Sequence, residues 1–192
     1  MNYTIFMEKL IHEIEKRRAK RAFDTREIPK DCIQRIMQAA LLAPSCFNNQ
    51  PWRFIVADNP EALGRIKENL PGANYWVKKS PCIICACSKN DLDCTLSDNR
   101  NYAFFDLGLA AENLVLQAFK EGLIAHPIAG FKPVEIKKAF NIPDEYTLLA
   151  LIILGYPGEE AHLNDKHLEL EHSERERKPM EEVVFYNSWL SK

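Results

Sequence analysis

The chain has 192 residues, 46% of them hydrophobic, with 25 Lys and Arg against 27 Asp and Glu, for a formal net charge of -2. That is enough for one domain, or for one domain completed by dimerisation, and the near-neutral balance argues against nucleic acid as a partner. The longest uncharged apolar stretch is too short for a bilayer span, and the N-terminus MNYTIFMEKLIHEIEKRR interleaves charges with apolar residues. No membrane association and a cytoplasmic location are therefore expected.

Thr4 to Arg18 reads as a first helix, with Met7, Leu10, Ile11 and Ile14 on one face. It runs into Arg17-Arg18-Ala19-Lys20-Arg21-Ala22-Phe23-Asp24, where four cations fall within five residues. Basic residues complement a helix C-terminus, and a charge run is commonly a solvated face. In a slightly acidic chain, so local a cluster also suits a phosphate monoester, because guanidinium forks bind phosphate oxygens bidentately. A second helix follows Pro29, with Ile33, Ile36, Met37 and Ala40 on one face, and Pro44 stops it. The next segment, Pro44-Ser45-Cys46-Phe47-Asn48-Asn49-Gln50-Pro51-Trp52, is a run of small polar side chains bounded by prolines. Two readings fit it: a capped loop that satisfies its own backbone, or a comb of donors and acceptors for a flat, polar-edged heterocycle.

Trp52 to Ala57 is a strand, and Asn59-Pro60 starts a short helix with Leu63, Ile66 and Leu70 facing inward, ended by Pro71-Gly72. Pro81 to Ser88 is a buried strand carrying Cys82, Cys85 and Cys87. Strand alternation sends Cys85 and Cys87 to one face and Cys82 to the other, so these thiolates do not converge on a metal, and they read as buried free thiols in a reducing compartment. A polar loop from Lys89 to Asn99 leads to the longest helix, Tyr102 to Glu121, closed by Gly122 and apolar on more than one face. Such a helix is buried either centrally in one domain or against a second copy. Ala125 to Ile128 and Leu148 to Tyr156 are further strands, separated by a short helix after Pro133. No Gly-x-Gly-x-x-Gly follows a strand, so a dinucleotide-binding fold is not supported. Glu159 to Lys178 is densely charged, and Val183-Val184-Phe185-Tyr186 and Trp189-Leu190 then return to apolar character. An apolar tail beyond a solvated arm has to pack at a distance.

In order and spacing, RRAKRAF at 17–23 and PSCFNNQPWRF at 44–54 resemble the nitroreductase family of FMN-dependent oxidoreductases. HPIAGF at 126–131, LALIILGYP at 149–157 and RERKP at 175–179 resemble further elements of the same family. The resemblance implies an α+β fold: a central, mostly antiparallel sheet flanked by helices, with residues 1–158 as the FMN-binding core. Residues 159–192 would be an arm whose C-terminal strand is exchanged within a homodimer, with the cofactor at the subunit interface. It implies an FMN-dependent NAD(P)H oxidoreductase that passes hydride from NAD(P)H to tightly bound FMN and then to a nitroaromatic, quinone or similar small-molecule acceptor. By motif position, Arg17, Arg177 and Arg175 match phosphate ligands, Ala19 stands where a serine commonly bonds the phosphate, Arg18 lies along the cofactor, and Arg21 matches the catalytic cation beside the flavin's N1 and C2 carbonyl region. Pro44, Ser45, Cys46, Asn48 and Gln50 match the loop at the flavin edge, with Asn48 reaching it from the neighbouring subunit. Ala129 and Gly130 match the backbone near its N5 and O4 edge. No resident metal is implied. Two alternatives stay open on the same fold: a flavin-binding or sensing protein without useful turnover, and another reaction such as flavin cleavage or reductive dehalogenation.

Overall fold

A computed structural model describes residues 10–189. Its centre is β2 (Cys82–Ser88), buried at every position, which pairs antiparallel with β1 (Arg53–Ala57) on one side and β4 (Thr147–Gly155) on the other. β3 (Ile124–Ile128) pairs antiparallel with the far side of β4, giving the order β1-β2-β4-β3. The ladder slips once, between Ala86 and Cys87, leaving Leu149 as the extra residue of a bulge. The fold is the α+β arrangement expected from the motifs, and its sheet is antiparallel throughout.

Alternation across the sheet builds two cores. Ile83, Cys85 and Cys87 share one face with Leu151, Ile153, Trp76 and Phe23, covered by α3 (Pro60–Lys67), α5 (Pro133–Ala139) and a 3-10 segment, Gly72–Lys79. Cys82 and Ile84 face the other way with Ile152 and Leu154, beneath α2 (Lys30–Leu41) and α4 (Ala103–Lys120). The strand cysteines are split as their spacing requires, and burial pushes the Cys82 and Cys85 thiols up to about 12 and Cys87 up to about 11. Local signals set the helix limits. Asn59 Oδ1 accepts the Ala62 N–H at 3.0 Å with Pro60 opening α3, and Gly122, at φ +80°, lets the Leu123 N–H close back on the Ala118 carbonyl at 2.9 Å.

One expectation changes on contact with the structure, and two that depend on a second copy are not tested by a single chain. The first described helix, α1, is only His12–Lys16, and Leu10, Ile11 and Ile14 are exposed instead of forming a buried face; Thr4 and Met7 lie outside the described residues. The long helix α4 buries Ala103, Asp106, Leu107, Ala110, Leu114, Val115 and Ala118 along one side only, and Phe105 on another side is 61% exposed. Beyond β4 the described residues form α6 (Asp165–His172) and α7 (Met180–Val183) and no strand; Val183, Val184, Tyr186 and Trp189 are exposed, and Leu190 lies outside the described residues. A strand whose partner is another chain has nothing to pair with in one copy. Among the described residues no helix is long and apolar enough to cross a membrane.

Candidate functional site

The arginine segment is held in place by the residues that follow it. Phe23 is buried and stacks on Trp76 at 5.8 Å between ring centroids, and its neighbours pair with the end of β4: Asp24 N–H donates to the Tyr156 carbonyl and Gly158 N–H to the Ala22 carbonyl, both at 2.9 Å. That contact needs glycine. A Cβ on Gly158 would stand 2.4 Å from the Asp24 nitrogen, and one on Gly155 2.7 Å from Phe23 Cδ1. Two side chains from distant elements complete the attachment. His126 on β3 places Nδ1 2.8 Å from the Lys20 carbonyl, and Glu171 on α6 accepts the Arg21 N–H. A carbonyl only accepts, so Nδ1 of His126 carries the proton. Burial, with Arg21, His167 and Arg17 acting in the same direction and the Lys20 hydrogen bond opposing, pushes His126 down to about 4, and the ring is neutral at pH 7. Glu171 is 4% exposed, and its second oxygen has no partner among the described residues. α6 is set by the Asn164 cap on His167 N–H at 2.9 Å and by His167 stacking on Tyr75 at 5.4 Å.

Between these elements lies a cleft of about 260 Å³ lined by Arg17, Arg18, Ala19 and Arg21 from the N-terminal side and by Leu170 and Ser173 to Arg177 from the C-terminal side. The structure thus brings together all five candidate arginines, which sequence separates by more than 150 residues. Backbone carbonyls orient several of them: Arg18 donates to Ser173 O at 2.5 Å, Arg175 to Ile14 O at 3.1 Å and to Arg17 O, and Arg177 to Glu176 O at 2.7 Å. A carbonyl fixes a guanidinium without neutralising it. The carboxylates nearby are Glu174 and Glu176 in the wall, buried Glu171, Glu15, which acts on Arg175, and Glu112, which lies 3.6 Å from Arg17 in a partly exposed pair of little energetic weight. Burial and repulsion from Arg17, Arg177 and Arg18 lower the Arg175 pKa. The donor set therefore fits a compact polyanion such as a phosphate monoester. The volume, about 260 Å³, falls below the roughly 300–1,000 Å³ of a complete small-molecule site.

Pro44, Ser45, Cys46, Asn48 and Gln50 are not among the residues lining this cleft. Most of the loop's backbone donors are already engaged: Cys46 N–H donates to Asp106 Oδ2 on α4 at 2.7 Å, and within the loop Asn48 N–H donates to Ser45 O and Asn49 N–H to Cys46 O at 3.0 Å, and Gln50 N–H to Ser45 Oγ at 3.0 Å. Of the two readings of this segment, the bonded backbone fits the capped loop, and side chains face outward, with Phe47 88% exposed. Phe47, Asn48 and Gln50 all have positive φ, which for residues with a Cβ persists only where neighbours impose it. One neighbour is covalent, since Cys46 is joined to Cys94 by a disulfide that sequence reading did not anticipate. Cys46, Asp93 and Cys94 are the one group within ligating reach of each other among the described residues, and their two sulphurs are used by that bond. Gly130 lies in a third place, its carbonyl accepting from Asn74 Nδ2 at 2.7 Å, while the Ala129 carbonyl accepts the Phe131 N–H at 3.2 Å.

Sequence reading missed Glu171, Gly158, Trp76, Asp106 and Cys94. Glu171 is one acid in a charged run and carries no local mark; the glycines of LGYPG could have signalled a close backbone approach. The description "Nitroreductase family" matches residues 14–72 and 66–156, a span that holds the N-terminal arginines, the amide loop and all four strands. A protein of Methanothermobacter thermautotrophicus, provisionally named NADH dehydrogenase/NAD(P)H nitroreductase, is 34% identical over 162 residues, covering 81% of each chain. A solved structure described as an oxidoreductase containing FMN superposes with a TM-score of 0.84 at 28% identity, covering 95% of this chain and 94% of that one. An iodotyrosine deiodinase of Haliscomenobacter hydrossis is 25% identical over 179 residues, covering 79% of this chain and 81% of its own. Shared sequence and shared architecture run through the same elements that hold the arginine segment against the sheet, and the chain belongs to the nitroreductase family.

Proposed function

We propose that the protein is an FMN-dependent NAD(P)H oxidoreductase that works as a homodimer, with nitroaromatics or quinones as its test acceptors. The observation that carries this reading is the cleft in which Arg17, Arg18, Arg21, Arg175 and Arg177 converge, oriented by carbonyls and not neutralised by them. FMN, when bound, supplies two-electron exchange with nicotinamide and with the acceptor. The chain supplies position and charge. Arg17, Arg175 and Arg177 hold the phosphate, Arg18 and the backbone at Ala19 run along the cofactor, and Arg21 keeps a fixed cation where reduction concentrates negative charge. Its backbone tie to Glu171 and its place over Trp76, 5.7 Å from the ring, set its approach.

The remaining candidates are assigned to the other side of the site. The amide loop of a second copy, with Pro44, Ser45, Cys46, Asn48 and Gln50, would close over the flavin, and Ala129 and Gly130 would face its N5 edge. Three observations support a dimer: the small cleft volume, the remoteness of the loop from the cleft, and the exposed apolar side of α4 around Phe105. From residue 159 on, the part through α6 packs on its own chain, and the apolar residues beyond Pro179 are the arm that would reach the partner. The four buried free thiols fit a reducing compartment such as the cytoplasm, where a partly exposed disulfide is reversible.

An absorbance spectrum of the purified protein before and after anaerobic NADH and NADPH tests the proposal. The expected result is a flavin spectrum that bleaches with at least one nicotinamide and returns when an acceptor is added. Yellow protein that no nicotinamide bleaches would leave a flavin carrier, and protein that does not take up added FMN would end the reading altogether.

A further inference from the structure

The amide loop is fastened at two points outside itself, the Asp106 carboxylate and Cys94, and the second fastening is chemically breakable. Cys46 and Cys94 are both partly exposed, whereas Cys32, Cys82, Cys85 and Cys87 are buried. Asn49 points into the same spot, its amide 3.1 Å from Asp93 Oδ1 and 3.4 Å from Cys94 Sγ. Asp93 Oδ1 also accepts the Cys94 N–H at 2.7 Å, so the bond, the loop and the 89–101 segment form one connected unit. Within that unit Phe47, Asn48 and Gln50 hold left-handed backbone angles that a freed loop would abandon.

We propose that Cys46 and Cys94 form a reversible redox-modification site on this loop, opened by small dithiols, and that opening it loosens the loop's hold on its ligand. The second half rests on the reading of this loop as part of the flavin site. A thiolate of the dithiol attacks one sulphur of the pair, breaking the Cys46–Cys94 bond and forming a mixed disulfide. The dithiol's second thiolate then displaces the remaining cysteine. The protein's disulfide gains two electrons and two protons as two thiols, and the dithiol leaves as a cyclic disulfide. The same disulfide drives the reverse reaction. A loop that holds its binding geometry only about a tenth of the time once released weakens ligand affinity about tenfold.

The holoprotein, still folded, is treated with iodoacetamide before and after dithiothreitol, and labelled peptides are read by mass spectrometry. Cys46 and Cys94 should be labelled only after dithiothreitol, the other four cysteines only after unfolding, and oxidised dithiothreitol should restore protection. Labelling of Cys46 and Cys94 without reductant, or only after unfolding, would overturn the site. FMN affinity, followed by flavin fluorescence, should fall about tenfold in the reduced protein and equally in Cys94→Ser. Equal affinity in the oxidised, reduced and Cys94→Ser proteins would overturn the link to the loop's grip. If the oxidised protein takes up no FMN, the flavin reading is what fails, and the labelling pattern alone decides whether the redox site exists.

Discussion

His126 makes the attachment of the arginine segment sensitive to acid. It is neutral in the fold, donating from Nδ1 to the Lys20 carbonyl, and burial holds it at about 4, against an ordinary value of 6.5. Below pH 6.5 the unfolded chain takes up a proton that the folded chain refuses until about pH 4, so stability is complete above this window and falls as the pH drops through it. The difference between the two values corresponds to about 3 kcal/mol, a large share of the roughly 5–15 kcal/mol that holds a domain together. His126→Gln keeps an N–H that can reach Lys20 and removes the titration. Urea unfolding of both proteins in steps from about pH 7 to pH 4 reads the effect directly. The wild type should lose about 3 kcal/mol more than the variant over that range. Glu121, held at about 2 by Arg35, also loses stabilisation as acid is added, but equally in both proteins, so it cancels in the comparison. Parallel losses in the two proteins would show that His126 does not carry the proton linkage and that its burial is not what fixes the segment.

Other perturbations separate the parts of the site. Arg175→Gln should weaken FMN by ten- to a hundredfold, the weight of a charge-assisted hydrogen bond of about 1.5–3 kcal/mol, while riboflavin, which lacks the phosphate, binds nearly unchanged in a fluorescence titration. Gly158→Ala places a carbon 2.4 Å from the Asp24 nitrogen; thermal melts should show a loss of about 1–3 kcal/mol, and FMN affinity should fall with it. The Cys46–Cys94 bond closes a loop of 48 residues, so Cys94→Ser, compared with the oxidised wild type in urea, should be less stable by about 4 kcal/mol. Ending the chain after Pro179 should shift the sedimentation equilibrium from dimer toward monomer; an unchanged dimer would place the subunit contact elsewhere.

Periodicity and punctuation determined which elements form. The unbroken apolar run through Cys82 to Ser88, the proline at the start of α3 and the glycine after α4 are local instructions, and the strands begin and end within a residue of where the sequence places them. The arginines were legible as a local cationic cluster that suits a phosphate, because like charges are rarely crowded without a counter-ion, and the motif order suggested the roles proposed for them. Only the tertiary structure decided how that cluster is held. Glu171, His126, Gly158 and Trp76 act through contacts between residues far apart in the chain, and no local pattern encodes such a contact. The pairing of Cys46 with Cys94 is of the same kind. Short-range sterics fix helices, strands and turns one segment at a time, whereas a site exists only where segments meet, and that meeting is set by the burial of both faces of the sheet at once.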